Sequence, residues 1–322
     1  MALMRWSRKL PGRFFLRANH LQVVAPIVET IGAGETVPLS LMKLSSTGGN
    51  QVRLVFVSPG PGKRTYIDEQ FVTYPFHVCR AYYKPNDPPS MATLCLQSTS
   101  GGIFESDRTS VSIVLEENSH ARVTTAAATV VHRMEKDIAQ QKVFIEAGPG
   151  SFFEYAPGPL IMFPMANLRS SLELKVDPSA TVIFCDSFIA HNPNHNGETF
   201  TSLRTDVCVR NLQGEVLVRD RAFVTGETYE SKTLGITGKY KAQATLMVIT
   251  QQVSADALVT HLRAGLVAME ALYVGVSTLP SNAGVWIRML GKDGACLKQA
   301  LDLAWILVRE FMVDALQLAA LD

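Results

Sequence analysis

The chain has 322 residues, enough for one large domain or two small ones with a sizeable core. Its 30 Lys and Arg nearly balance 29 Asp and Glu, and a net charge of +1 excludes the broad basic surface that general nucleic-acid binding requires. No apolar run approaches the roughly 20 residues of a membrane-spanning helix, and five scattered Cys without a C-x-x-C pair read as reduced thiols of a cytoplasmic protein, neither a disulfide frame nor a zinc site.

Residues 1–40 form a basic arm: Arg5, Arg8, Lys9, Arg13 and Arg17 all precede the first acid, Glu29. Pro11-Gly12 interrupts it and its apolar runs are too short for a signal-peptide core, so a partly flexible lead-in is expected. Residues 41–322 read as one β-rich domain. After the strand-like "VRLVFV" come four similar segments, "VSIVLEENSHARVTT", "KVFIEAGPGSFFEY", "LELKVDPSATVIFCD" and "VCVRNLQGEVLVRD". Each is an apolar run, a turn and a second apolar run, the form of a hairpin. The turns centre near Asn118, Pro149, Pro178 and Gln213, 29 to 35 residues apart. Such a period predicts a mainly β fold, a β-helix-like stack of hairpin layers in which each layer covers the face left open by the last.

Helical spacing enters only at the end. Ser254 is a natural N-cap for a helix over 254–270. A second helix is predicted over 295–318, where Leu297, Ala300, Leu301, Ala304, Trp305 and Val308 follow the i, i+3, i+4, i+7 rule. Between them "AGVWIRMLGKDG" reads as a strand and a turn. Trp305 to Val308 are consecutive apolar residues and point around the whole second helix, so it is either sandwiched between the β-body and the chain's tail or packs one face on the β-body and leaves another for a partner.

The candidate chemistry is thin. "GGIFESDR", residues 101–108, lacks the Lys-Ser/Thr and the following helix of a phosphate loop, and an acid stands where phosphate would sit. It reads as a turn between two strands, its glycines supplying positive φ. "TTAAAT" from Thr124 is a small-residue surface that suits close packing, or a hydroxyl-lined passage or interface. His132 is too far along its strand to serve a Thr nucleophile. His191 and His195 flank Asn-Pro-Asn, a loop and not a metal-binding helix. Asp107, Glu154, Asp186 and Glu198 each flank an apolar strand end. No catalytic constellation, nucleophile elbow or dinucleotide fingerprint is present.

Taken in order, these stretches resemble the urease accessory proteins of the UreD/UreH family. The family's Gly-Gly-x-x-x-Gly-Asp turn is matched at Gly101, Gly102 and Asp107; its Thr-Thr strand at Thr124, Thr125, Ala128, Thr129 and Arg133; its Glu-Tyr-x-Pro-x-Pro at Glu154, Tyr155, Pro157 and Pro159; its strand-end Asp at Asp186 and its Gly-Glu-x-Phe at Gly197, Glu198 and Phe200. Ser106 replaces a Gly, Val130 a Lys and His132 a Tyr, which marks a divergent member.

The resemblance implies an assembly factor and not an enzyme, with no catalytic residue. It implies a scaffold that binds apo-urease and a UreF-like protein, which recruits a UreG-like GTPase; GTP is bound by that partner and no cofactor is held tightly here. Asp107, Glu154, Asp186 and Glu198 are then candidates for a path of nickel in transit, and Thr124, Thr125, Trp305 and Phe311 for the partner interface. Two rival readings stand beside it: an interaction module that no longer serves urease, or a metal-assisted hydrolase using His132, His191 or His195.

Overall fold

Strand follows strand from Val52 onward because apolar and β-branched residues alternate with polar ones between turn residues. The computed structural model describes residues 50–319, apart from Asn86, Ala268 and Glu270; the basic arm over 1–40 lies outside the described residues. In chain order the elements are β1 (Val52–Val57), β2 (Tyr66–Val72), β3 (Phe76–Val78), β4 (Ala92–Ser98), β5 (Arg108–Leu115), β6 (His120–Thr125), β7 (Thr129–Val131), β8 (Ala139–Ala147), β9 (Phe152–Ala156), β10 (Leu160–Met162), β11 (Asn167–Val176), β12 (Thr181–Ala190), β13 (Ser202–Asn211) and β14 (Val216–Thr225). There follow a short helix α1 (Gly226–Glu230), then β15 (Ala242–Ile249), α2 (Ala255–Leu266), β16 (Leu272–Thr278), β17 (Gly284–Gly291) and α3 (Gly294–Ala319).

Two sheets face each other. One runs β14-β13-β11-β8-β5-β1-β2, the other β16-β17-β15-β12-β9-β6-β4-β3, with β7 and β10 attached beside β12. The stack is the β-helix-like one expected, but its layers are built differently. In three of the four strand-turn-strand units the two strands do not pair with each other. β5 and β6, β8 and β9, and β11 and β12 are arches that cross from one sheet to the other, and each strand pairs in parallel with its counterpart one layer on. The fourth unit, β13 and β14, is an antiparallel hairpin, which ends the parallel run of the first sheet. The turns sit where expected. Asn118 takes φ 57° and Gly150 φ 62°, left-handed values that let the chain reverse without a β-branched clash.

The space between the sheets holds the larger core, with Leu54, Phe56, Leu94, Ile113, Val123, Phe153, Val182 and Val209 fully or almost fully buried. A second core lies on the outer face of the β12–β15–β17 sheet, where Ile183, Leu246, Val285 and Ile287 meet α2 and α3. Ser254 does cap α2, its hydroxyl accepting from the Ala257 amide at 3.3 Å. Gly265 of α2 leaves room for Leu307 of α3, which brings the two helices close together.

The long apolar run of α3 resolves into faces. Leu297, Ala300, Ala304, Trp305, Val308 and Met312 point inward, and burying a side chain of Leu size is worth about 1.5–3 kcal/mol. Trp305, proposed from sequence for a partner interface, is only 7 % exposed and belongs to this core; Ile306 next to it is 51 % exposed. Phe311 is half-buried against the ring of His261, with centroids 5.3 Å apart.

Candidate functional site: a polar interior between the sheets

Along most of the stack the inward side chains are apolar, but at one register they turn polar. Thr109, Gln141, Ser170 and Thr205 are successive register partners across β5, β8, β11 and β13. Gln141 Nε2 donates to Ser170 Oγ at 2.9 Å. On the facing sheet Asp186, Thr245 and Arg288 are register partners across β12, β15 and β17. Ser and Thr fill less space than Leu or Phe, polar groups favour water, and here these side chains line a cavity of about 540 Å³. Its lining reaches from β4 and β5 to β14 and β17. Four strand spacings separate β5 from β14, so it extends about 19 Å along the stack.

The charges of this interior are at its β14–β17 end. Arg288 reaches across from one sheet to Asp220 of the other, its Nη2 lying 2.9 and 3.1 Å from the two carboxylate oxygens. The guanidinium lies over the Trp286 ring at 4.0 Å, a cation–π contact. Asp186 sits mid-strand with protein on all sides, yet its carboxyl is solvent-accessible within the cavity. Loss of bulk water around it, and then the negative charge of Asp220, push it up to about 6; a hydrogen bond from Thr245 and the charge of Arg288 pull less strongly the other way.

Of the four acids singled out from sequence, only Asp186 lines this interior. Asp107 closes its own turn, its Oδ2 accepting from the Phe104 amide at 2.8 Å. Glu154 is fully buried on the opposite face of β9, and its two oxygens are taken by Arg309 Nε and Nη2 at 2.5 and 2.7 Å. Arg309 also reaches Asp87 at 2.7 Å. Burial works against the charge of Arg309, but Glu154 and then Asp87 more than offset it. Glu198 is exposed in the loop after β12. Asp220 and Arg288 were not singled out from sequence.

Thr124 and Thr125 brace the neighbouring layer. Thr124 Oγ1 donates to the Ala156 carbonyl at 2.8 Å, and Thr125 Oγ1 accepts from the Gly158 amide at 2.8 Å while donating to the Ala127 carbonyl. A Cβ at Gly158 would stand 2.5 Å from the Ala127 oxygen, so close packing is what the small residues provide. The exposed Ala126–Ala128 segment rims the cavity. His132 stacks on Phe104 at 4.3 Å, and its Nε2 lies 3.0 Å from the Gly101 carbonyl, which can only accept; the ring therefore carries its proton there and holds the turn. His191 and His195 lie exposed in their loop.

The turn over residues 101–108 is tight because its glycine meets main chain. Gly102 has φ 140°, and a Cβ there would overlap the Val130 carbonyl oxygen. Gly102→Ala is expected to cost about 3 kcal/mol or more, since it adds both backbone strain and a clash with main chain. Urea unfolding checks this, and a change under about 1 kcal/mol would mean that the turn relaxes freely. Ser106, the residue at the family's Gly position, also sits at φ 65° and is held there by donating to Asp137 at 2.8 Å.

These features define a β-solenoid-like scaffold with a polar interior. Among the described residues there is no group of three or more His, Cys, Asp or Glu that could hold a metal ion, and no helix long and apolar enough to cross a membrane. The chain belongs to the UreD urease accessory protein family, whose model matches residues 48–319. It is 36 % identical over 253 residues to urease accessory protein UreD 1 of Pseudomonas syringae pv. tomato, covering 79 % of this chain and 89 % of that one. It is 34 % identical to UreD 1 of Methylorubrum extorquens, covering 81 % and 88 %, and 31 % identical to UreD of the archaeon Natronomonas pharaonis, covering 75 % and 80 %. These relatives are named as accessory proteins and not as the urease itself.

Proposed function

We propose that the chain is a cytoplasmic urease maturation factor that binds apo-urease and a UreF–UreG-type complex, and that nickel passes through its inter-sheet interior during GTP-dependent insertion. The observation that carries this reading is the polar register inside an otherwise apolar stack, with Asp186 and Asp220 at one end. A protein that only presented outer surfaces to its partners would gain stability by filling that register with Leu or Val. Two carboxylates with hydroxyl and amide neighbours suit Ni²⁺ in transit, because oxygen ligands bind it weakly enough to release it where thiolates would hold it. GTP hydrolysis belongs to the partner GTPase.

The test is urease activation by the Asp186→Asn plus Asp220→Asn double variant, measured with complex formation on the same samples. The complex should form as with wild type, while nickel loading of urease falls on the order of tenfold, equivalent to about 1.4 kcal/mol of weakened cation binding. Normal loading by a double variant that still joins the complex would rule out a carboxylate-dependent passage.

A further inference from the structure

Arg288 is held in a way that suits a displaceable group. A strong arginine–carboxylate pair is a fork in which two nitrogens each meet one oxygen. Here Nη2 alone serves both oxygens of Asp220, and the buried Nε has no partner. Water reaches both side chains, which are 42 % and 21 % exposed. The flat face of the guanidinium meanwhile rests on Trp286, so it keeps a favourable seat if Asp220 lets go.

The charge balance points the same way. The charged side chains that strand alternation and the register directions send into the cavity are Asp186, Asp220 and Arg288. Empty, they sum to one negative charge; with a divalent cation added, to one positive. Neither state is deep, so an ion can enter and leave. Without the arginine, two uncompensated carboxylates would meet a divalent cation with full neutralisation, and the ion would stay.

We propose that Arg288 is a tethered counter-cation that occupies Asp220 while the interior is empty, yields it to an arriving divalent cation while keeping its seat on Trp286, and then competes to expel that ion. The proposal rests on the nickel reading above and adds the element that keeps each stay short.

Ni²⁺ binding to the full chain by equilibrium dialysis tests it. Arg288→Met should bind Ni²⁺ about tenfold more tightly or better, the scale on which a neighbouring unit charge alters a carboxylate's affinity for a cation. Arg288→Lys should stay close to wild type. Arg288→Gln, which keeps length and polarity, serves if the Met variant does not fold. Adding Asp220→Asn to the Met variant should remove the gain. Met and Gln variants that bind no more tightly than wild type overturn the proposal, as does a gain that survives Asp220→Asn. Such a failure is distinct from failure of the passage reading, which falls only on normal urease loading by the double carboxylate variant.

Discussion

Glu154→Ala is expected to destabilise the fold by about 3–5 kcal/mol and to loosen α3 from the β-body. Glu154 is fully buried and takes a true fork from Arg309, with Arg122 Nη1 a further 3.4 Å from it. Removing the carboxylate leaves two half-buried cations with Asp87 as the nearest compensation, and it strips two hydrogen bonds from Arg309. Glu154→Gln keeps one acceptor and should fall between the two. Urea unfolding followed by far-UV circular dichroism gives the measurement; a loss below about 1 kcal/mol would mean that Asp87 alone suffices. The same geometry explains why this acid, chosen from sequence for a metal path, is a structural tie: its oxygens are already taken.

Asp186→Asn should have the opposite sign at neutral pH. A carboxyl held higher in the folded than in the unfolded chain adds its full stability only below its unfolded value near 3.8, and loses it as pH rises through about 6. At pH 7.5 the ionised Asp186 is therefore a net cost, and Asn removes it. Because water enters the cavity, the gain is discounted to on the order of 1 kcal/mol, about 2–4 °C in Tm. At pH 4 the two proteins should unfold together. A variant less stable than wild type at pH 7.5 contradicts the argument. A variant that is more stable yet loads less nickel would identify Asp186 as a residue kept for function at the expense of stability.

The layered repeat was legible because every arch announces itself with an apolar run, a turn residue such as Asn118 or Gly150, and a second apolar run. What that pattern cannot distinguish is a hairpin from an arch, since both need the same residues and differ only in whether a strand pairs across the turn or with a partner some 30 residues away. The site was half legible. Asp186 stood out, but as a strand-end acid and not as a residue facing inward from the middle of β12. Asp220 and Arg288 left a signal that alternation could have caught: each replaces an apolar residue at an inward position, between Val218 and Ala222 and between Trp286 and Leu290. Trp305 was misplaced because four consecutive apolar residues on a helix do not reveal which of them a neighbouring helix will cover.

The Glu154–Arg309 tie spans 155 residues of sequence, and α3 is the last described element in chain order. On the ribosome, the arches can stack as they emerge, each on the one before, but the face bearing Ile183, Cys185 and Leu246 has no cover until α2 and α3 have been made. For that interval the nascent chain shows a broad apolar sheet and a buried-type carboxylate without its arginine. Newly made chains should therefore pass through a holdase-dependent stage that ends abruptly once Arg309 clears the exit tunnel, and ribosome-stalled chains of increasing length should lose chaperone occupancy in one step at that point.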